Sequence, residues 1–234
     1  MIIVTGASQG IGFECARELL ERSASTVWLT GRCAERLERA RLALPAEFQS
    51  RVRTSVCDQG EPDAVGRLLT VIAALEEPFE GAILAVGVNP IYEEGPRRLH
   101  MLDEETIERV IRTNCTQTLR LSASMLGRFR QQRSGVLIWI GSRAARIGMP
   151  GAALYGASKS FLSGLAIAAH HEYASRGVRV HVLHPGVVRT PRTSAVADDF
   201  AAKHEVVVSE AADVARRVVD VFLSGEPERV EMDV

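Results

Sequence analysis

The sequence predicts one α/β domain, built on a doubly wound parallel sheet of about seven strands with helices on both faces. Short β-branched runs alternate with longer helical stretches from one end of the chain to the other, as expected for parallel strands joined by right-handed crossovers. Several strand-like runs, such as 81–86 and 136–140, are apolar almost throughout, which is typical of strands covered on both faces. The 234 residues contain no internal repeat, linker or change of composition, so a single domain spanning 1–234 is expected.

The predicted strands are short aliphatic and β-branched runs, and the predicted helices are the longer stretches that connect them. In chain order, the strands are expected at 2–5, 26–30, 51–56, 82–86, 136–140, 178–183 and 230–233. The helices are expected at 11–22, 34–44, 62–75, 103–130, 152–175 and 211–223. Each helix follows one strand and precedes the next, which is the alternation that builds a parallel sheet.

Two segments interrupt this alternation, and both follow predicted strands. Residues 87–99 form a loop that contains Pro90 and Pro96. Residues 185–209 form a longer connecting segment before the last helix. Within this segment, residues 187–209 are expected to be a lid over the substrate. Both segments should emerge at the carboxyl edge of the sheet, where open α/β sheets bind ligands.

Charge excludes several classes of partner. The chain has 29 acidic and 28 basic residues and a formal net charge of −1, so there is no electrostatic reason to expect nucleic acid or an anionic membrane surface. No apolar run reaches the roughly 18 residues of a membrane span. The first residues enter a strand without a charged leader, so we expect a cytoplasmic protein.

Metal and disulfide chemistry are also not expected. The four cysteines share no CxxC spacing, which argues against a structural zinc site or a disulfide scaffold. The six histidines have no metal-binding spacing. The sequence therefore predicts free thiols and no metal.

A glycine-rich loop joins the first predicted strand to the first helix. Gly6, Gly10 and Gly12 allow a tight turn, a close approach of a phosphate to the backbone and close packing of the helix. The unpaired amides at the helix start favour a pyrophosphate. Because no Lys followed by Ser or Thr comes after the last glycine, the loop is not a P-loop. We expect it to bind a dinucleotide; the alternative is a glycine-rich turn without a ligand.

A tyrosine and a lysine share one face of a predicted helix. Tyr155 and Lys159 are four residues apart, hence neighbours on the helix surface, and Ser142 follows the strand 136–140. An ammonium group one turn away favours the phenolate, so the tyrosine hydroxyl could exchange the proton that accompanies hydride transfer. Ser142 would hydrogen-bond the substrate oxygen. The alternative is a half-buried tyrosine beside a lysine whose stem packs on the surface.

Together these features resemble the short-chain dehydrogenase/reductase family, and the resemblance extends over essentially the whole chain. The matching positions are 5–12, Asp58, Asn114, Ser142, 155–159 and 185–190. The resemblance implies a Rossmann-type fold and a catalytic tetrad of Asn114, Ser142, Tyr155 and Lys159. It also implies that Asn114 holds a water linking Lys159 to solvent, and that Lys159 grips the nicotinamide ribose.

The same resemblance implies a binding site for a nicotinamide dinucleotide. Asp58 would meet the adenine ring, and the segment 185–190 would face the nicotinamide. The expected cofactor-binding residues are Gly6, Ser8, Gln9, Gly10, Ile11, Gly12, Arg32, Asp58, Gly87, Tyr155, Lys159, Pro185, Gly186, Val188 and Thr190. One departure is 84–87, which reads Leu-Ala-Val-Gly where the family usually has Asn-Asn-Ala-Gly. We expect local repacking there rather than loss of the cofactor.

The end of the second predicted strand indicates which cofactor is preferred. NAD-binding folds carry an acid about 20 residues beyond the glycine loop, which binds the adenosine ribose. Here that place holds Gly31 and Arg32, and the nearest acid is Glu35. Arginine binds a 2′-phosphate through charge-assisted bonds, whereas a carboxylate repels it. We expect NADP(H) rather than NAD(H). Discrimination between the two cofactors should be modest, because Gln9 stands where many NADP-dependent relatives have a second basic residue. The alternative is a solvated Arg32.

The expected function is that of an NADP(H)-dependent carbonyl reductase or alcohol dehydrogenase. It would transfer hydride between nicotinamide and a ketone, aldehyde or secondary alcohol, with Tyr155 as general acid and base. Two alternatives remain open: a regulatory protein that binds NADP(H) without catalysis, and an epimerase or dehydratase that uses the same cofactor. No motif identifies the small-molecule substrate.

The helix predicted at 152–175 also predicts self-association. It carries apolar residues around most of its circumference, among them Phe161, Leu162 and Ile167. A helix that covers a sheet from one side needs only one apolar stripe, so the surplus implies a second buried surface, most simply a second copy of the chain. The family resemblance agrees, and a homodimer or homotetramer is expected.

Overall fold

Seven parallel strands form the central sheet of the computed structural model, which describes residues 1–194, 197–198, 201–202, 206–225 and 231–234. Together with a separate pair, the described residues form nine strands: β1 (Ile2–Thr5), β2 (Val27–Gly31), β3 (Val52–Val56), β4 (Gly81–Leu84), β5 (Gly135–Ile140), β6 (Val178–His184), β7 (Val187–Arg189), β8 (Val208–Glu210) and β9 (Glu231–Asp233). The sheet order is β3-β2-β1-β4-β5-β6-β9, while β7 and β8 form a separate parallel pair. This order confirms the predicted doubly wound fold.

Helices cover the sheet on both faces. They are α1 (Gly10–Arg22), α2 (Ala34–Ala43), α3 (Ala64–Ala73), α4 (Ile91–Glu94), α5 (Glu104–Val110), α6 (Thr118–Gln132), α7 (Ala153–Tyr173) and α8 (Ala211–Ser224). Alternate residues of a strand point to opposite faces, so Ile3 and Trp139 pack with α3, α6 and α7, whereas Ile2 and Ile138 pack with α1, α2 and α8. Within the described residues, no helix is long and apolar enough to cross a membrane.

The strand order reverses direction at β1, and this reversal creates the position of the site. Thr5, the last residue of β1, pairs with Thr30 of β2 on one side and with Leu84 of β4 on the other. The connections that leave β1 and β4 therefore run to opposite faces of the sheet. The crevice between them, at the carboxyl ends of the strands, is the usual ligand site of such folds.

The helix predicted at 103–130 is three segments in the structure. Asp103 caps the first, α5, with its carboxylate accepting a hydrogen bond of 2.7 Å from the amide of Thr106. A π-helical stretch, Ile111–Gln117, follows before α6 begins. Wider π turns frequently occur at functional sites, and periodicity alone could not distinguish this one from continuous α-helix. The stretch contains Asn114.

Several predicted boundaries differ from the observed ones. β4 ends at Leu84 rather than at residue 86, because the amide of Ala85 donates a 3.1 Å hydrogen bond to the Thr5 hydroxyl instead of continuing the pairing with a strand. The predicted loop 87–99 contains the short helix α4, and the predicted lid 187–209 contains β7 and β8. Of that lid, residues 195–196, 199–200 and 203–205 lie outside the described residues, as does Val230 of the last predicted strand.

Candidate active site

A cleft of about 730 Å³ opens at the carboxyl ends of β1, β2, β3 and β4. Ten of the predicted cofactor-binding residues line it: Gly6, Ser8, Gln9, Gly10, Ile11, Gly12, Arg32, Asp58, Gly87 and Thr190. The other five predicted cofactor-binding residues, Tyr155, Lys159, Pro185, Gly186 and Val188, are not part of its lining, and neither are the predicted catalytic residues Asn114 and Ser142. Its volume is that of a site for a sizeable small molecule.

The glycine loop makes the turn between β1 and α1, and its three glycines stand where a side chain would be strained or crowded. Gly6 and Gly10 have positive φ angles of 65° and 60°, which glycine adopts without steric cost. A Cβ atom added at Gly12 would lie 2.6 Å from the carbonyl oxygen of Gly6. The backbone at the start of α1 is therefore exposed to the cleft, where its amides can bind an anion.

Two arginines after β2 line the same cleft: Arg32 directly follows the strand, and Arg36 lies in α2. Both residues are exposed. A Cβ added at Gly31 would lie 3.3 Å from Leu37 and 3.5 Å from the Cβ of Ser8, so glycine keeps this end of the cleft open. The sequence interpretation missed Arg36, which lies in the first turn of α2, four residues beyond Arg32.

Asp58 occupies the neighbouring strand end, after β3. Its Oδ1 atom accepts a 2.9 Å hydrogen bond from the amide of Gly60, which fixes the carboxylate in a tight turn. Cys57 and Gln59 line the cleft with it. The carboxylate thus lies at the wall expected to meet the adenine ring.

Ser142 and Tyr155 are brought together next to the cleft. Ser142 follows β5, and its hydroxyl accepts a 3.2 Å hydrogen bond from the amide of Ala144. Burial raises the pKa of Tyr155 to about 12, and the nearby Tyr92 adds to this rise. A side-chain hydrogen bond with Ser142 and the positive charge of Arg192 act in the opposite direction. Without a ligand, the Tyr155 hydroxyl is therefore fully protonated at neutral pH.

Lys159 lies one turn farther along α7 and is almost fully buried, with 3% of its surface exposed. Its Nζ atom donates a 2.8 Å hydrogen bond to the carbonyl of Ile140, at the end of β5, and lies 5.8 Å from the centre of the Tyr155 ring. Burial lowers the pKa of Lys159 to about 8. A Cβ added at Gly87 would lie 3.0 Å from Nζ, so the ammonium group stands directly behind the cleft wall.

Asn114 projects from the π-helical stretch toward the same cluster. Its amide oxygen accepts from the Val88 amide at 2.7 Å, and its amide nitrogen donates to the Val88 carbonyl and to the Ser158 hydroxyl at 2.9 Å each. Ser158 in turn donates a 2.7 Å hydrogen bond to the carbonyl of Tyr155. Asn114 therefore links the loop after β4 to the helix that carries Tyr155 and Lys159.

Of the segment 185–190, Thr190 is the residue that lines the cleft. Thr190 contacts the glycine loop, since a Cβ added at Gly10 would lie 3.2 Å from its methyl group. The side chain of Val188 is buried in the core, and its carbonyl accepts a 2.6 Å hydrogen bond from the Thr193 hydroxyl. A Cβ added at Gly186 would lie 3.4 Å from the Cδ atom of Arg143, so Gly186 packs against the arginine side chain.

Arg192 is a cleft residue that the sequence interpretation missed. Its guanidinium donates to the Gly87 carbonyl at 3.0 Å and forms a 2.8 Å ion pair with Glu93. Its charge also acts to lower the pKa of Tyr155. No local pattern singles out this arginine, because its neighbours come from a loop about 100 residues earlier in the chain.

Comparison with known proteins identifies the family. The sequence model of the short chain dehydrogenase family matches residues 1–200. Among curated relatives, 3-oxoacyl-[acyl-carrier-protein] reductase FabG of Escherichia coli is 29% identical over 84% of this chain and 77% of its own length. 2-(R)-Hydroxypropyl-CoM dehydrogenase of Xanthobacter autotrophicus is 29% identical over 96% of this chain and 90% of its own.

Solved structures give the same result. One described as a short chain dehydrogenase/reductase family protein is 25% identical, with a TM-score of 0.85, over 100% of this chain and 94% of its own. A short chain dehydrogenase from Burkholderia cenocepacia, solved in complex with NADP, shares the fold at 24% identity and a TM-score of 0.83, over 100% of this chain and 95% of its own. The chain belongs to the short-chain dehydrogenase/reductase family and is an oxidoreductase of that family.

Proposed function

We propose that the protein is an NADP(H)-dependent carbonyl reductase or alcohol dehydrogenase acting on a ketone, an aldehyde or a secondary alcohol. The observation that carries this proposal is the cluster of Ser142, Tyr155 and the buried Lys159 at the end of β5, where Lys159 donates to the Ile140 carbonyl. This cluster adjoins a cleft that is also lined by two exposed arginines, Arg32 and Arg36. The arrangement combines a proton donor, an oxygen-binding hydroxyl and a dinucleotide-sized groove.

The residues of the cleft fit a nicotinamide dinucleotide. The backbone at Gly10–Gly12, which lines the cleft, suits a pyrophosphate, Asp58 suits the adenine, and the carboxyl end of β6 with 185–190 suits the nicotinamide. Arg32 and Arg36 form a pair of cations at the end where the adenosine 2′-phosphate of NADP would lie, and arginine binds phosphate through charge-assisted bonds. Lys159 would hold the nicotinamide ribose from behind Gly87. Bound NADPH would supply the hydride.

The protein side of the reaction is a proton transfer from Tyr155. Because burial keeps its hydroxyl protonated, Tyr155 acts as the general acid that delivers a proton to the carbonyl oxygen in the reductive direction. Ser142 donates a hydrogen bond to the same oxygen as negative charge develops on it. The Lys159 ammonium stabilises the phenolate that remains. Asn114 would hold the water through which the proton is replaced.

A regulatory protein that binds NADP(H) without catalysis is the competing proposal. Such a protein would not need Ser142, Tyr155 and Lys159 in register, and this register speaks for an enzyme. Incubation with NADPH and a broad panel of ketones and aldehydes, followed by absorbance at the wavelength of reduced nicotinamide, distinguishes the two. Tight NADPH binding without oxidation across the panel would establish the regulatory alternative.

Replacing Tyr155 by Phe removes the proton donor and leaves the ring that fills its place. We expect turnover to fall by about 10²–10⁴, the usual contribution of a general acid, while NADPH affinity measured by fluorescence titration stays near that of the wild type. Tyr173→Phe, at the other end of α7, is the matched control and should keep normal turnover. A Tyr155→Phe variant with more than about a tenth of the wild-type rate contradicts the assignment, since that loss is below this range.

Cofactor preference tests the two arginines. In Arg32→Ala and in Arg36→Ala, loss of one charge-assisted contact of about 1.5–3 kcal/mol should lower kcat/KM for NADPH roughly ten- to a hundredfold and leave the value for NADH nearly unchanged. Arg39→Ala, at an exposed residue of α2, is the control. A wild type that prefers NADH, or equal losses with both cofactors, would show that neither arginine binds the 2′-phosphate.

The pH dependence of reduction follows from Lys159. With NADPH as the varied substrate, kcat/KM reflects ionisations of the free enzyme. Because the pKa of Lys159 is lowered to about 8, the ammonium is present below that pH and is lost above it, so kcat/KM should be level at neutral pH and decrease above pH 8. Lys159→Arg, which stays charged, should remove the decrease at a lower absolute rate. A wild-type profile that stays level to about pH 9.5, well past the ionisation of such a group, is the contrary result.

We also propose that the protein forms a homodimer or homotetramer through α7. Phe161 and Ile167 on this helix are 37% and 48% exposed, and exposed apolar surface that forms a larger patch marks a site of protein–protein contact. Sedimentation velocity at micromolar concentration should give a species larger than one chain. Ile167→Glu should dissociate it, whereas Leu42→Glu, at an apolar residue of α2 that is 56% exposed, should not. A monomeric wild type is the result that refutes this proposal.

A further inference from the structure

A fully buried histidine lies directly beneath Ser142 and has no part in the reaction described above. His184 is the last residue of β6 and is 0% exposed. Its ring fills the space over Gly141, where an added Cβ would lie 2.6 Å from Nδ1. A buried imidazole requires hydrogen-bond partners at both nitrogens, and the identity of these partners indicates what the residue does.

The Nδ1 atom lies close to both backbone polar groups of Ser142, its amide and its carbonyl. It lies 3.2 Å from the Ser142 amide and 2.9 Å from the Ser142 carbonyl oxygen. The residues on either side of Ser142 are held differently: the Gly141 amide donates to the Leu183 carbonyl at 2.7 Å, and the Arg143 amide donates to the Pro185 carbonyl at 3.0 Å. Backbone hydrogen bonds to Leu183 in β6 and to Pro185 just after it thus fix the two neighbours, and the imidazole ring contacts the peptide groups of Ser142 itself.

The Nε2 atom faces a second set of polar groups, which orient the ring. It lies 3.2 Å from the Ser163 hydroxyl of α7 and 3.6 Å from a carboxylate oxygen of Glu231 in β9. Arg146 holds that carboxylate from the other side at 3.3 Å. These contacts hold the ring between α7 and β9 and fix its orientation.

We propose that His184 is a positioning residue that sets the place of the Ser142 hydroxyl through its contact with the Ser142 backbone. This inference rests on the proposed role of Ser142 as the group that binds the substrate oxygen. Whichever ring nitrogen carries the proton, Nδ1 has a partner on Ser142: the amide when Nδ1 is unprotonated, and the carbonyl when it is protonated. A displacement of about 1 Å at a reacting group can cost on the order of a hundredfold in rate, so this contact bears directly on turnover.

Two amide substitutions separate positioning from packing. The Asn side chain in His184→Asn places its amide where Nδ1 stands and keeps the contact with Ser142. The Gln side chain in His184→Gln reaches the place of Nε2, toward Ser163 and Glu231, and loses that contact. Both remove the ring and leave a similar void, so their effects on the melting temperature should be alike.

The kinetic readout uses NADPH and the panel carbonyl compound that the wild type reduces fastest. We expect His184→Asn to keep kcat within about threefold of the wild type and His184→Gln to lose about ten- to a hundredfold, both with normal NADPH affinity. The deuterium isotope effect on kcat with 4-deuterated NADPH should rise only in His184→Gln, because its chemical step is slowed. Equal losses in the two variants, or a normal kcat in His184→Gln, would overturn the proposal.

Two further variants complete the test. Gly141→Ala keeps the histidine, but its added Cβ would lie 2.6 Å from Nδ1 and push the ring away from Ser142. It should therefore reproduce the kcat loss even if His184→Gln does not fold, and a normal kcat in Gly141→Ala counts against the proposal. Ser142→Ala tests the function on which the inference rests. If Ser142→Ala retains normal turnover, the proposed role of Ser142 is wrong, whereas a loss there combined with equal His184 variants rejects only the positioning role.

Discussion

The buried hydrogen bond between the Lys159 ammonium and the Ile140 carbonyl connects the two elements on which the site is built. It joins α7 to the end of β5, and because Tyr155 lies one turn before Lys159 and Ser142 two residues after Ile140, it fixes the distance between them. An ammonium group removed from water must be well satisfied, so this contact leaves little freedom in how α7 lies on the sheet. The remaining parts of the site, from the π-helical stretch to the glycine loop, are arranged around this junction.

Burial acts on the two ionisable groups of the cluster in the same sense, toward their uncharged forms. It raises the pKa of Tyr155 to about 12 and lowers that of Lys159 to about 8. The free protein thus resists forming a phenolate, and Ser142 and Arg192 only partly offset this. Such tension between environment and function is common where a protein holds a general acid. Charge brought in by a ligand would then change the ionisation of both groups together.

The sequence was sufficient for the parts of the fold that depend on local pattern. Apolar runs located the strands of the central sheet, and the spacing of Gly6, Gly10 and Gly12 located the turn at β1. Features that depend on distant partners were beyond it. The hydroxyl of Thr5 ends β4 early, and the π turn that presents Asn114 differs from α-helix by one hydrogen-bond register. Arg192 meets Gly87 only because the sheet brings two loops together, a contact that no periodicity encodes.

The link from Arg192 to Gly87 and Glu93 has a consequence for how molecules enter the cleft. It joins two of its walls, the segment after β7 and the loop after β4, through a partly exposed ion pair. Ion pairs of this kind weaken as ionic strength rises, whereas the contacts of the buried Lys159 are shielded from dissolved salt. Exchange of ligands with solvent should therefore respond to salt while the chemistry inside does not, so that the mouth and the interior of the site are governed by different physical variables.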